Sequence, residues 1–295
     1  MIKILVTGSN GQLGCEFKKL ASHVEDISFT FASSADLDIT QPDQVEAALN
    51  GQDYHYLINC AAYTAVDKAE TERIKAFATN SEALNHIGQK CRYHNTRVIH
   101  ISTDYVYDGK AWKPYTEDAS SLPESYYGQT KLLGEKKLVE HQPDTIILRT
   151  SWLYSSFGNN FVKTMLKLGN QREELRVVFD QLGSPTYAED LANAVITMLQ
   201  KINTGRVKFT PGIYNYSNEG VTSWYDFAVN ILQQAHSTCR VLPISSKEYP
   251  TAAPRPYYSV MDKTKIKKQF KITIPHWQAS LEKCLAVLLH EEIES

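Results

Sequence analysis

Apolar residues in the first half of the chain fall in short runs that end at turn residues. IKILVTG (2–8), ISFTFAS (27–33), YHYLINCAA (54–62), TRVIHIST (96–103) and DTIILRTSW (144–152) each read as a strand. Their near-continuous apolar character fits parallel strands covered on both faces. The segments 12–22, 41–50, 67–94 and 126–141 between them carry helical spacing. Strand and helix in alternation predict a doubly wound parallel sheet with right-handed crossovers and helices on both faces. Beyond about residue 153 the pattern loosens. PTYAEDLANAVITMLQKI (185–202) predicts a helix and GIYNYSN (212–218) a strand. TSWYDFAVNILQQA (222–235) and HWQASLEKCLAVLLHEEI (276–293) predict amphipathic helices, and YPTAAPRP (249–256) a proline-punctuated loop. Residues 1–152, with about 170–206, are expected to form the sheet domain. Residues 153–295 mainly build a smaller α/β lobe.

The turn after the first strand gives the sheet a ligand. TGSNGQLG spaces Gly8, Gly11 and Gly14 three apart between a strand and a helix. Glycine allows a tight turn and lets backbone, including that of Gln12 and Leu13, approach a pyrophosphate. The helix N-terminus behind it offers N–H groups. This is a Rossmann-type dinucleotide site, the alternative being a purely structural turn. The second strand normally ends on an acid for a ribose 2′-OH or an arginine for a 2′-phosphate. FASSADLDIT has neither at that place, so NADH and NADPH both stay open, and Asp38 and Ile39 are candidates to flank the adenine.

Parallel sheets bind ligands beyond the carboxyl ends of their strands. Thr103, ending the fourth run, is placed to hydrogen-bond a substrate oxygen. On the next helix Tyr127 and Lys131 are four residues apart and share a face, whereas Tyr126 does not. A cation near a phenol favours the phenolate and would bring Tyr127 towards acid–base work near neutral pH. A packed tyrosine beside a solvated lysine is the plainer alternative.

Composition narrows the partners. Of 295 residues 42% are hydrophobic and 22% charged, with a formal net charge of −2. That gives no basic footprint for nucleic acid or an anionic membrane. The basic run MDKTKIKKQF (261–270) reads as the polar face of a helix. Cys15, Cys60, Cys91, Cys239 and Cys284 are odd in number and widely spaced, which signals neither disulfides nor a zinc site. The opening apolar run stops at Gly8, too short for a signal peptide or a membrane span. A cytoplasmic setting is expected.

These motifs together closely resemble the extended short-chain dehydrogenase/reductase family. The glycine turn, NCAA, STDYVY and YGQTK occur in that family's order and spacing. AAYTAVDKAE, YGQTKLLGE, RTSWLY, GNNFVKTML and DQLGSPT narrow the resemblance to the dTDP-4-dehydrorhamnose reductase family over residues 4 to about 190. RPYYSVMD (255–262) extends it more weakly. The resemblance implies NADH- or NADPH-dependent reduction of the 4-keto group of a dTDP-linked 6-deoxy sugar by a monomer or homodimer. Tyr127 would be the acid, Thr103 the carbonyl partner and Lys131 the ribose ligand. It also implies cofactor contact at Asn59, Ala61, Ala62, Tyr63 and Thr64, and substrate contact at Val66, Asp104, Trp152, Asn160 and Arg255. The plainer alternatives are strand-end packing, a core tryptophan at 152, a helix cap at Asn160 and a surface arginine at 255. TAVD also resembles a capping box, which would make Asp67 structural. Glu16 and Glu189 match two positions that bind Mg²⁺ in some relatives. Sugar-nucleotide dehydratases on this scaffold carry Asp-Glu after the threonine. Here Tyr105 follows Asp104, which favours reduction over elimination. The regulatory subunit of methionine adenosyltransferase also resembles this family, so a non-catalytic binding role is the competing class, and another nucleotide-linked 4-keto sugar the competing substrate.

Overall fold

The computed structural model describes residues 1–294, with side chains to residue 290. Its centre is a six-stranded parallel sheet. Five strands come from the first half: β1 (Ile2–Thr7), β2 (Ile27–Ala32), β3 (Tyr56–Asn59), β4 (Arg97–Thr103) and β5 (Thr145–Thr150). They lie in the order β5-β4-β3-β1-β2, and the strand Gly212–Asn215 adds to the outer edge of β5. The reversal of strand order between β1 and β3 opens a crevice at the carboxyl ends, where such sheets bind ligands. Strands β3 and β5 are buried along their whole length. That explains why they read as unbroken apolar runs rather than alternating ones.

One hydrophobic core lies between the sheet, helix Gln12–Ala21 and helix Ala188–Asn203. Ile266, Phe270, Ile272 and Ile274 from the late chain join it. The basic run 261–270 thus ends in the helix Thr264–Phe270, whose apolar face is in this core. A second core gathers Tyr154, Val162, Leu166, Leu175 and Phe227 with Trp277, Leu281 and Leu285 of the last helix. Three two-stranded pairs frame that lobe: Leu153–Tyr154 with Thr186–Tyr187, Glu174–Val178 with Arg240–Ile244, and Leu182–Gly183 with Thr222–Ser223.

The segment 67–94 departs from one continuous helix. It breaks into Val66–Ala69, Arg73–Phe77, a π-helical turn Ala78–Glu82 and Ala83–Tyr93. The π turn has a local cause. Its Asn80 is buried and clamps the main chain of Tyr63, accepting from its N–H at 2.9 Å and donating to its carbonyl at 3.0 Å. The extra residue in the turn aims that amide, a use to which π-bulges are often put. Among the described residues no helix is long and apolar enough to cross a membrane.

Candidate active site

A cleft of about 530 Å³ opens over the carboxyl ends of the strands, between sheet and lobe. Its floor begins at the glycine turn, where the three glycines do different jobs. Gly8 has φ +67°, and a Cβ there would stand 2.6 Å from the Ala61 nitrogen. A Cβ on Gly14 would stand 2.5 Å from the Gly8 oxygen. These two let β1, β3 and the first helix close on one another. Gly11 is looser: its Cβ would meet only the Gly8 oxygen, at 3.3 Å. It caps helix Gln12–Ala21 without a side-chain bond, beside Gln12 and Leu13 on the cleft wall. Uncapped N–H groups at an open glycine suit a dinucleotide's phosphates.

The helix Tyr126–His141 brings the next groups. Ser125 starts it by accepting the Gly128 N–H at 3.1 Å. Tyr127 then faces the cleft, while Tyr126 turns away to lie under the Arg73 guanidinium, 4.7 Å from its ring centroid. Lys131 follows one turn later and is 2% exposed. Its Nζ donates to the Ile101 carbonyl at 2.8 Å and stands 3.3 Å from His100 Nε2. Burial pulls the lysine down to about 8. The expected lowering of Tyr127 by Lys131 is not found. Burial dominates and pushes the phenol above its ordinary value, with the Thr103 hydroxyl acting the other way. The lysine nitrogen is turned to β4 rather than to the phenol.

Thr103 donates its hydroxyl to Asp104 Oδ1 at 3.0 Å and accepts the Tyr105 N–H at 3.2 Å. The other carboxyl oxygen of Asp104 is buried without a protein partner. Burial raises this group to about 7, so near neutrality a large fraction carries its proton. Tyr105, in the dehydratase glutamate's position, packs edge-on to Tyr127 with centroids 5.5 Å apart. It has no carboxylate to offer for elimination.

The cleft gathers Gly11, Gln12, Leu13, Gly14, Ala62, Thr64, Val66, Thr103, Asp104, Tyr127, Lys131, Trp152 and Asn160. Other expected residues stand outside its lining. Asn59 is fully buried and bonded to Thr7 and His100. Gly8 and Ala61 form the close approach described above, and Tyr63 is held by Asn80. The Asp38 carboxylate closes a turn on Thr40, and the Ile39 side chain sits in the core with Leu37 and Val45. The Ile39 side chain is therefore not free to flank an adenine, whereas Asp38 is partly exposed, with both turn bonds on one carboxyl oxygen. At the end of β2 it is Asp36 that accepts from Ser33, through N–H and hydroxyl, at 2.9 and 2.7 Å.

On the lobe side, Asn160 is the cap of helix Phe161–Gly169. It accepts the Lys163 N–H, and its amide donates to the Ser155 carbonyl and to Gln12. Its donors are therefore spent on the protein. Asp67 is no capping-box member. It accepts from Ala253 N at 3.0 Å and from Arg255 at 2.5 Å, tying down the proline loop. Arg255 keeps a buried Nη1 without a partner. Glu16 does not suit a metal: it is buried, accepts from Ser155 at 2.6 Å, and is pushed above the ordinary carboxylate range by burial. Glu189 is paired with Lys19 at 2.7 Å. Among the described residues no three His, Cys, Asp or Glu side chains gather as a metal would require.

The sequence reading gave no site role to Asn10, Cys60 and Ser102 on the cleft wall or to His100 behind it. A histidine inside the apolar run TRVIHIST was the available signal, since a buried imidazole must find partners.

A parallel sheet with an open glycine turn, and a threonine, a tyrosine and a buried lysine at its carboxyl edge, defines an oxidoreductase of the short-chain dehydrogenase/reductase class. The model of the RmlD substrate binding domain family matches residues 2–290. A dTDP-4-dehydrorhamnose reductase of Aggregatibacter actinomycetemcomitans is 39% identical over 289 residues, 96% of this chain and 98% of that protein. The spore coat polysaccharide biosynthesis protein SpsK of Bacillus subtilis is 38% identical over 97% of each chain. Among solved structures, a dTDP-4-dehydrorhamnose reductase of Bacillus anthracis in complex with NADP aligns with TM-score 0.90 at 36% identity. The alignment covers 97% of this chain and all of that one. The chain belongs to the dTDP-4-dehydrorhamnose reductase family.

Proposed function

We propose that this chain reduces the 4-keto group of dTDP-6-deoxy-L-lyxo-4-hexulose to dTDP-L-rhamnose, using NADPH or NADH. One observation carries the reading: Thr103, Tyr127 and Lys131 share a cleft with the open turn at Gly11, in a chain that matches such reductases over nearly its whole length.

The bound nicotinamide supplies the hydride. Tyr127 gives its phenolic proton to the alkoxide that forms at C4. Its high intrinsic pKa keeps it protonated until that charge develops. Thr103 orients the carbonyl oxygen. Asp104, about half protonated at pH 7, offers in its protonated form a donor beside the developing oxyanion. Lys131 holds the nicotinamide ribose. The backbone at Gly11, Gln12 and Leu13 takes the cofactor phosphates, with Ala62 and Thr64 along its length. Trp152 and Val66 pack on the sugar nucleotide, and the free Nη1 of Arg255 meets its diphosphate. The sheet unit serves the cofactor and the lobe mainly the sugar nucleotide. An assembled trio of this kind favours catalysis over a purely regulatory role.

A second substrate is favoured by one relative. A Streptomyces antibioticus protein, 36% identical over 98% of this chain, is named a probable dTDP-4,6-dihydroxy-2-methyloxan-3-one 4-ketoreductase. The test is NADPH and NADH consumption across dTDP-, UDP- and GDP-linked 4-keto-6-deoxy sugars, with dTDP-glucose and NAD as a separate arm. The expected result is turnover of the dTDP-hexulose and no keto sugar from dTDP-glucose. Turnover confined to another sugar would move the assignment to it, and a keto sugar from dTDP-glucose would overturn the reductase reading.

A further inference from the structure

A row of buried polar groups crosses three strands beneath the cleft and ends on Lys131. The Thr7 hydroxyl on β1 donates to Asn59 Oδ1 on β3 at 2.6 Å. Asn59 Nδ2 stands 3.0 Å from Nδ1 of His100 on β4. His100 Nε2 stands 3.3 Å from Lys131 Nζ on the catalytic helix. No member is more than 2% exposed. The strands themselves are already joined by their backbone ladders. Polar side chains cost free energy in such a layer unless they are fully bonded, so the row calls for a role beyond holding strands together.

The donors and acceptors fix what the imidazole does. Asn59 Oδ1 also takes the Ala61 N–H, at 3.3 Å, so the amide NH₂ is directed at His100. His100 Nδ1 then accepts, and a neutral ring carries its proton on Nε2, facing the lysine. That arrangement suits the amine form of Lys131. Turning the Asn59 amide over would set its NH₂ against the Ala61 N–H, so the row holds one orientation of the amide and of the ring. The other groups facing Lys131 are Cys60 at the end of β3 and, on its own helix, Glu135. Glu135 is engaged by Arg149 and Ser102. His100 is thus the side chain that meets the lysine nitrogen from the sheet.

We propose that His100 is a positioning residue: it seats Lys131 Nζ against the Ile101 carbonyl, and through Asn59 and Thr7 it ties that seat to the strand bearing the glycine turn. Its effect on turnover rests on the reductase reading above; its effect on cofactor binding does not.

The test compares His100→Leu, His100→Asn and His100→Gln with Lys131→Met and with the His100→Leu/Lys131→Met double variant. NADPH binding is followed by calorimetry and turnover with the dTDP-hexulose. A glutamine amide reaches the place of Nε2, and an asparagine amide only that of Nδ1. Leucine and asparagine are expected to lower kcat by on the order of a hundredfold, as a misplaced group does, with the sugar KM little changed. Both should weaken NADPH as Lys131→Met does, while glutamine restores most of the loss. The double variant should be no worse than Lys131→Met alone. Wild-type kcat and NADPH affinity in His100→Leu would overturn the proposal. So would losses that multiply in the double variant, or asparagine rescuing as well as glutamine. If His100→Leu does not fold, the glutamine–asparagine contrast decides. If the wild-type protein binds NADPH but turns over no keto sugar, the reductase reading fails and the binding arm still judges His100.

Discussion

The two walls of the cleft hold their side chains in different ways. On the sheet wall, Thr103 and Lys131 stand on strand ends or on the helix behind them, and buried hydrogen bonds fix each one. On the lobe wall, the groups ride on connecting segments. Trp152 sits on left-handed backbone at φ +48°, stacked on Trp224 with centroids 3.7 Å apart. Arg255, which stands outside the cleft lining in a smaller neighbouring pocket with Tyr105 and Pro256, is steered by one carboxylate across the proline loop. A residue in that backbone region is uncommon, and packing must hold it there. The difference teaches where each property resides. On the function proposed above, chemistry would lie on the hydrogen-bonded wall and choice of sugar nucleotide on the wall that loops can reshape.

The hardest break of this comparison is Tyr127→Phe. Removing the general acid from the sheet wall should cost roughly 10²–10⁴-fold in kcat, or about 3–5 kcal/mol of barrier, with the fold intact. Tyr126→Phe should stay near wild type, because that ring packs under Arg73 outside the cleft. Steady-state kinetics of the two variants decides it; an exchange of their behaviour would reassign the acid.

The same contrast governs what could be read from sequence. The strands, the glycine turn and the Tyr127–Lys131 face were legible, because a period of two or of 3.6 residues fixes which side chains share a face. Lys131's actual partners were not. They depend on how the helix Tyr126–His141 packs against β4, a tertiary contact that no local period reports. The lobe wall was legible only as resemblance. Asn160 reads equally as a cap or a ligand, and the structure makes it a cap. Asp67 reads as a cap, and the structure makes it the partner of Arg255, 188 residues away. The continuous helical spacing of 67–94 hid the π turn, since one inserted residue leaves the apolar pattern on either side intact.

Next in size is a test of how the sheet wall is supported. Arg149, 2% exposed, donates to both oxygens of Glu135, at 3.1 and 2.7 Å, and to the Tyr107 hydroxyl at 3.0 Å. This pair joins β5 to the catalytic helix one turn beyond Lys131. Arg149→Met strands a buried carboxylate and should cost about 3–5 kcal/mol in urea unfolding. Replacing both partners, as Arg149→Met with Glu135→Leu, should recover most of that loss. A double variant as unstable as the single one would show that the pair itself, rather than the stranded charge, carries the stability.

An effect of comparable size separates charge from shape at Asp104. Its pKa rises from 3.8 to about 7 on folding. A raised folded pKa means its favourable contribution is complete below about 4 and is lost as pH climbs through about 7. Asp104→Asn removes the ionisation. Its stability relative to wild type should therefore grow between about pH 4 and about pH 7 and level off above. Thermal unfolding of both proteins across that window measures it, and a constant difference would mean that the carboxyl is not held protonated.

The smallest expected effect belongs to the lobe wall. Asp67 is half exposed and its pair with Arg255 is partly open to solvent. Such pairs contribute on the order of 0.2–1 kcal/mol, and salt screens them. Asp67→Asn keeps an acceptor for the Ala253 N–H and removes the charge that aims Arg255. The sugar-nucleotide KM should then rise by up to about fivefold, the upper end of that energy range, while kcat holds. Added salt should shrink the difference between variant and wild type. Arg255→Met should raise KM further, because the buried Nη1 proposed for the diphosphate goes with it. A fall in kcat at unchanged KM for either variant would place Arg255 on the chemical wall and dissolve the division between the two sides.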